Sequence, residues 1–184
     1  KAAGRARTDK FTYVIQFNSA KDEVRVCWAT QPAHVALKTA TPLTVVDMMG
    51  EETVLTPVAG QVFLTLTDAP VYVKGKVDEV IDGGHFQLAA RQTTDILDEF
   101  GFDYRIDDPQ IKGTLEVDGQ TLAIEGKDGR AVLAKQDTSK PLTRLLWYRL
   151  VVNGKPAGMG GVEVSVVDPL SIAEVSCLPG GSAL

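Results

Sequence analysis

Residue types that carry chemistry are scarce in this chain of 184 residues, which has two cysteines, two histidines and an aromatic content of 7%. Neither His34 nor His85 has a Cys or another His at metal-ligand spacing, so no zinc site is indicated. His34 enters a strand in the context Pro-Ala-His-Val and is expected at a surface or an edge. No serine stands in a Ser-His-Asp context. Cys27 lies within the apolar run VRVCWA and reads as a buried free thiol. Cys177 is near the tail; its pairing with Cys27 stays open, and two cysteines do not define a redox compartment. No apolar run approaches the roughly 20 residues that a helix needs to cross a bilayer, and no membrane partner is expected. Helical periodicity is missing too. The one helical candidate is Thr94 to Phe100 (TDILDEF), a turn or two with Thr94 as N-cap and Gly101 as the stop.

The formal charge of −5 is unevenly spread. Residues 1–76 carry nine Lys or Arg against seven Asp or Glu, and residues 77–184 carry ten against seventeen. Such a balance excludes a nucleic-acid partner, which needs a basic face. The window from Lys76 to Asp108 is the most acidic, with nine Asp or Glu and two Arg. The first residues, KAAGRAR, and the last, PGGSAL, read as linker-like, so the chain is expected to be a piece of something longer.

What the chain does have is β-pattern. Phe11 to Phe17, Glu23 to Ala29, His34 to Leu37, Leu43 to Val46, Thr53 to Leu55, Gln61 to Thr67 and the Pro-Val-Tyr-Val run closed by Gly75 are short strands punctuated by turns. In Gln61 to Thr67, alternation puts Val62, Leu64 and Leu66 on one face. After the breaker Asp82-Gly83-Gly84 and the acidic window, strands resume at Ile111 to Val117, Thr121 to Glu125, Ala131 to Ala134, Leu145 to Val152, Val162 to Val167 and Ser171 to Val175. Asp118-Gly119, Asp128-Gly129 and Asn153-Gly154 read as the turns between them. The expected fold is all-β: two consecutive antiparallel β-sandwich domains, at 1–76 and 110–184, joined by an acidic connector at 77–109 with at most one short helix.

Three pieces of the first half occur in a telling order: VRVCWA (Val24 to Ala29), VVDMMGEETVLTP (Val45 to Pro57) and VFLTLTDAPVYVKG (Val62 to Gly75). Together they resemble the small C-terminal β-sandwich that follows the (β/α)8 barrel in glycoside hydrolases of the large retaining clan. In that family a strand with a buried Trp is followed by a V-x-D-x-x-G turn and a final P-x-Y-x-x-G strand. The resemblance covers residues 9–76, and the second half resembles the immunoglobulin-like or NEW3-like modules appended to such enzymes. It implies a secreted or cell-envelope parent whose catalytic barrel is the partner of this region. The chain shows no βα alternation, so the family's two catalytic glutamates have no position here and no catalytic residue is expected.

The residue-level candidates are few. Trp28 and Trp147 lie in apolar strands and are expected in the core, which in LLWYRLVV turns Tyr148 outward. Tyr148 and Tyr104 are therefore the candidates for stacking on a polysaccharide. Asp103, Asp107 and Asp108 are the candidate ligands for Ca2+, the one cofactor the sequence suggests. Glu51 and Glu52 flank a turn that the Asp47 side chain is expected to cap. Gly158 to Gly161 (GMGG) is expected to be a flexible hairpin loop, with no phosphate-loop signature. The functional expectation is a non-catalytic accessory region that packs on and positions a barrel, with a carbohydrate-binding module or a protein–protein scaffold as alternatives.

Overall fold

The alternating stretches form seventeen strands, and no helix occurs among the described residues. The computed structural model describes residues 2–8, 11–18, 23–134 and 136–168. In chain order the strands begin with β1 (Ala2–Thr8), β2 (Thr12–Asn18), β3 (Glu23–Ala29), β4 (Ala33–Lys38), β5 (Leu43–Val46) and β6 (Glu52–Leu55). They continue with β7 (Gln61–Leu66), β8 (Val71–Lys74), β9 (Glu79–Asp82), β10 (Phe86–Leu88), β11 (Arg91–Asp95) and β12 (Gly101–Ile106). The last are β13 (Gly113–Val117), β14 (Gln120–Ile124), β15 (Asp128–Val132), β16 (Leu142–Val152) and β17 (Lys155–Val167).

Three sheets result. An outer six-stranded sheet runs β1-β2-β3-β8-β5-β6, and a small one runs β10-β12-β15. The central sheet has eight strands in the order β14-β13-β16-β17-β7-β4-β9, with β11 also paired to β17. Turn chemistry sets two of its hairpins. Asp118 and Gly119 have φ of 49° and 71°, and Asn153 and Gly154 have 52° and 72°. Two successive positive φ values define the turn whose twist matches flanking strands.

Strand β7 explains how the layers join. All six of its residues are buried, because both of its faces are covered. Val62, Leu64 and Leu66 join a core with Val14, Cys27, Leu43, Val45 and Val73 from the outer sheet. Phe63, pointing the other way, joins a second core with Phe86 and Phe102 from the small sheet and Leu150 and Val164 from β16 and β17. In β4 the same alternation splits Val35 and Leu37 from Ala36.

The halves of the chain meet at a parallel pairing of β17 with β7, Gly158 opposite Phe63 and Gly160 opposite Thr65. The GMGG segment is thus mid-strand rather than a hairpin loop. A Cβ on Gly158 would lie 2.8 Å from the Phe63 carbonyl oxygen, and one on Gly160 would lie 2.3 Å from that of Thr65. Only hydrogen atoms fit there, so the glycines serve close backbone approach.

Several expectations need correction. Residues 77–109 are not a connector: they supply β9 through β12, which enter the central and small sheets. The two cores are not parcelled at 76 and 110 either, since Ala36 and Phe63 belong with residues of the second half. The helical turn at Thr94 does not form. Gln92 and Thr94 are buried along β11, which pairs with β17, and this packing outweighs a weak local helix signal. Asp128-Gly129 begins β15 instead of turning; the positive φ sits at Gly126. The Ser171 to Val175 strand and Cys177 lie outside the described residues.

Candidate functional site

The residues singled out from sequence do not converge. Tyr104 is buried, and its hydroxyl donates to the Glu125 carbonyl at 2.9 Å while accepting from the Glu125 amide at 3.0 Å. Tyr148 is buried as well, so neither tyrosine offers a ring face to a sugar. The carboxylates proposed for Ca2+ are already engaged. Asp103 takes two bonds from Arg130 at 2.9 and 3.1 Å, Asp107 takes one from Arg105 at 2.9 Å, and Asp108 caps the amide of Gln110 at 2.8 Å. Among the described residues no three His, Cys, Asp or Glu side chains cluster as a metal site would require. Asp47 does cap its turn, accepting from the amides of Met49 and Glu51 at 2.8 and 2.9 Å.

His34 is half-buried on β4, which lies between β7 and β9 and is not an edge strand. Its Nε2 lies 2.7 Å from the Phe86 carbonyl oxygen and must carry the proton, since a carbonyl only accepts. Nδ1 then accepts from the Thr65 hydroxyl at 2.9 Å, and Thr65 accepts from the Tyr148 hydroxyl at 2.9 Å. This chain of bonds stitches β16, β7, β4 and β10 together. Burial pulls the His34 pKa down to about 4, against a smaller upward pull from the Phe86 bond, so the ring is neutral near pH 7. Burial likewise raises the Tyr148 hydroxyl, opposed by the Thr65 bond. Cys27 is buried and pushed up to about 12 by its surroundings, against a smaller lowering by Arg25, which leaves an unreactive thiol. Cys27 and Tyr148 are buried, and both His34 ring nitrogens are already hydrogen-bonded, so these groups serve the structure.

Two surfaces remain that stability alone does not explain. The first is the outer face of the six-stranded sheet. Strands β2 and β3 turn their large apolar side chains away from the core: Tyr13, Ile15 and Phe17 pair across with Trp28, Val26 and Val24. Thr12, Val14, Arg25, Cys27 and Ala29 are the residues that face inward and are buried. The Tyr13 and Trp28 rings stack at 4.9 Å between centroids with planes 8° apart. Tyr72 on β8, 41% exposed, stands beside Val26 and Val46, and the Lys74–Glu52 ion pair at 2.7 Å borders the patch there. A sheet face open to water is normally polar. Trp28 is therefore not the core residue expected; it is half-buried in an outward ladder.

The second surface is a groove of about 810 Å³ between the β5–β6 turn, the loop before β8 and the exposed side of β13 and β16. Its floor is Trp147, 49% exposed and on the opposite face of β16 from buried Tyr148, which reverses the sequence expectation for this pair. The strand parity was legible, but which face met the second core was not. All three methionines of the chain line this groove: Met48, Met49 and Met159. Two adjacent methionines in the turn DMMGEE were the available signal, because turns are usually polar. Four carboxylates also line the groove, against the single guanidinium of Arg149.

No family model matches the chain, and no curated protein matches it.

Proposed function

We propose that this chain is a non-catalytic accessory region of a larger, secreted or envelope glycoside hydrolase, docking its six-stranded sheet on a catalytic barrel. The observation that carries the reading is the inversion in β2 and β3, whose bulky apolar side chains face outward while Thr12, Arg25 and Cys27 face the core. A contiguous apolar patch on an otherwise well-packed domain marks a contact surface. The order of the tryptophan strand, the Asp47 turn and the Pro70 to Gly75 strand supports the glycoside hydrolase parentage. The role is mechanical: the sheet covers a flank of the barrel and holds it in place, and the chemistry resides in the barrel.

The test starts from the coding region upstream of Lys1. It should encode βα-alternating sequence with glutamates at strand ends, and in the full-length protein Trp28→Ser with Tyr72→Ser should lower the barrel's melting temperature by several degrees. An upstream region without βα alternation, or a barrel indifferent to both substitutions, overturns the reading.

A second reading, a carbohydrate-binding face, is favoured by the aromatic run Tyr13, Trp28 and Tyr72 on one sheet surface. It predicts retardation on insoluble polysaccharide that is lost in Trp28→Ala.

A further inference from the structure

The methionine-lined groove is separate from the outward aromatic face and needs its own account. Its apolar floor and walls are Trp147, Met48, Met49, Met159, Pro70 and Val71. Met49 is 90% exposed, an unusual position for a large apolar side chain unless something covers it. Methionine is unbranched and polarizable, so a surface built from it adapts to apolar partners of different shape. The rim is acidic. Asp47, Glu51, Glu116 and Asp118 surround this floor, and Arg149, the one cation among them, is 3.8 Å from Glu116 and already partnered. The bare indole adds an attractive face for a cation.

We infer that this groove is a docking site for a short peptide segment of another protein, one with large apolar side chains flanked by Lys or Arg. Charge complementarity selects this occupant. Four carboxylates against one guanidinium leave the rim net negative, which repels an acidic segment and gives a neutral one no charge to meet, and a glycan would need a row of flat aromatics where the groove offers a single one. The apolar side chains would seat on Trp147 among the methionines, and the flanking cations would meet Glu116, Asp118 and Glu51. Rim charges of this kind govern partner selection and association rate, while the apolar floor supplies holding strength.

Because the chain has three methionines and all of them line the groove, methyl-labelled methionine spectra of the whole protein report on this site, through Met48 and Met49 in the turn and through Met159, which also packs on the core of the outer sheet. The probes are three capped peptides with a central Leu-Ser-Leu, flanked on both sides by Lys, by Ser or by Glu, together with cellohexaose. The Lys peptide should shift all three methyl signals saturably, the Ser peptide more weakly, and the Glu peptide and cellohexaose should leave them unmoved. Glu116→Gln with Asp118→Asn, both exposed and shape-conserving, should weaken the Lys peptide about tenfold, a loss that added salt mimics in the unsubstituted protein. Trp147→Ala should weaken the Lys and Ser peptides alike. Methyl signals unmoved by the Lys peptide, equal shifts with the Glu peptide, or shifts with cellohexaose in place of the Lys peptide would each overturn the inference. Trp28→Ser with Tyr72→Ser should not alter these titrations, so failure here is separable from failure of the barrel-docking reading.

Discussion

His34 shows how much one residue can carry in a chain with two histidines. Its ring bridges Thr65 and the Phe86 carbonyl, and burial, which disfavours the charged ring, lowers its pKa from 6.5 to about 4 on folding. Between those two values the unfolded chain binds a proton that the folded one refuses. Stability from this residue is therefore complete above pH 6.5 and drains away as the pH falls toward 4, by about 3 kcal/mol at the acid end. Urea denaturation across this range should show a steeper loss for the parent protein than for His34→Gln. Parallel pH profiles would mean the ring is not held neutral. Tyr148 sits in the same bond chain, which is why it cannot also serve as an exposed aromatic.

Among the elements, β7 and β17 matter most. β7 is buried on both faces, and its parallel contact with β17 depends on glycine at 158 and 160. A methyl group at 160 would meet the Thr65 oxygen at 2.3 Å and its Cβ at 2.7 Å, both on a strand with no room to retreat. Gly160→Ala should cost about 3 kcal/mol or more, in the range of a backbone-level clash. Equilibrium unfolding of the two proteins measures it, and a loss below 1 kcal/mol would show that the strands can separate slightly without harm. By contrast, the type of turn at Asp118-Gly119 and Asn153-Gly154 was readable from the dipeptides themselves. The β11 segment was not: its strand identity comes from β17, about 70 residues away in sequence.

At the scale of the whole molecule, one sheet passes through both halves of the chain. The pairings of β17 with β7 and with β11, the pairing of β12 with β15 and the shared core around Phe63 tie residues 1–109 to residues 110–184. Separated at 109, each piece would expose one face of a core and an unpaired strand edge. Both fragments should give poorly dispersed amide spectra, while the whole chain should unfold in urea as one transition. A well-dispersed spectrum from either fragment would show that the halves are independent after all.

Alternation and turn dipeptides determine the all-β class, most strand positions and the Asp118-Gly119 and Asn153-Gly154 hairpin turns, because those depend on neighbours two to five residues apart. The burial of Cys27 and the Asp47 cap were legible for the same reason. Alternation assigns residues to two faces without saying which face meets a core. Only the stacking of three sheets decided that Tyr148 goes in and Trp147 out, that β2 and β3 present their larger apolar side chains to the exterior, and that the acidic middle of the chain is sheet. Those decisions rest on contacts between segments far apart in sequence, and both candidate surfaces follow from them.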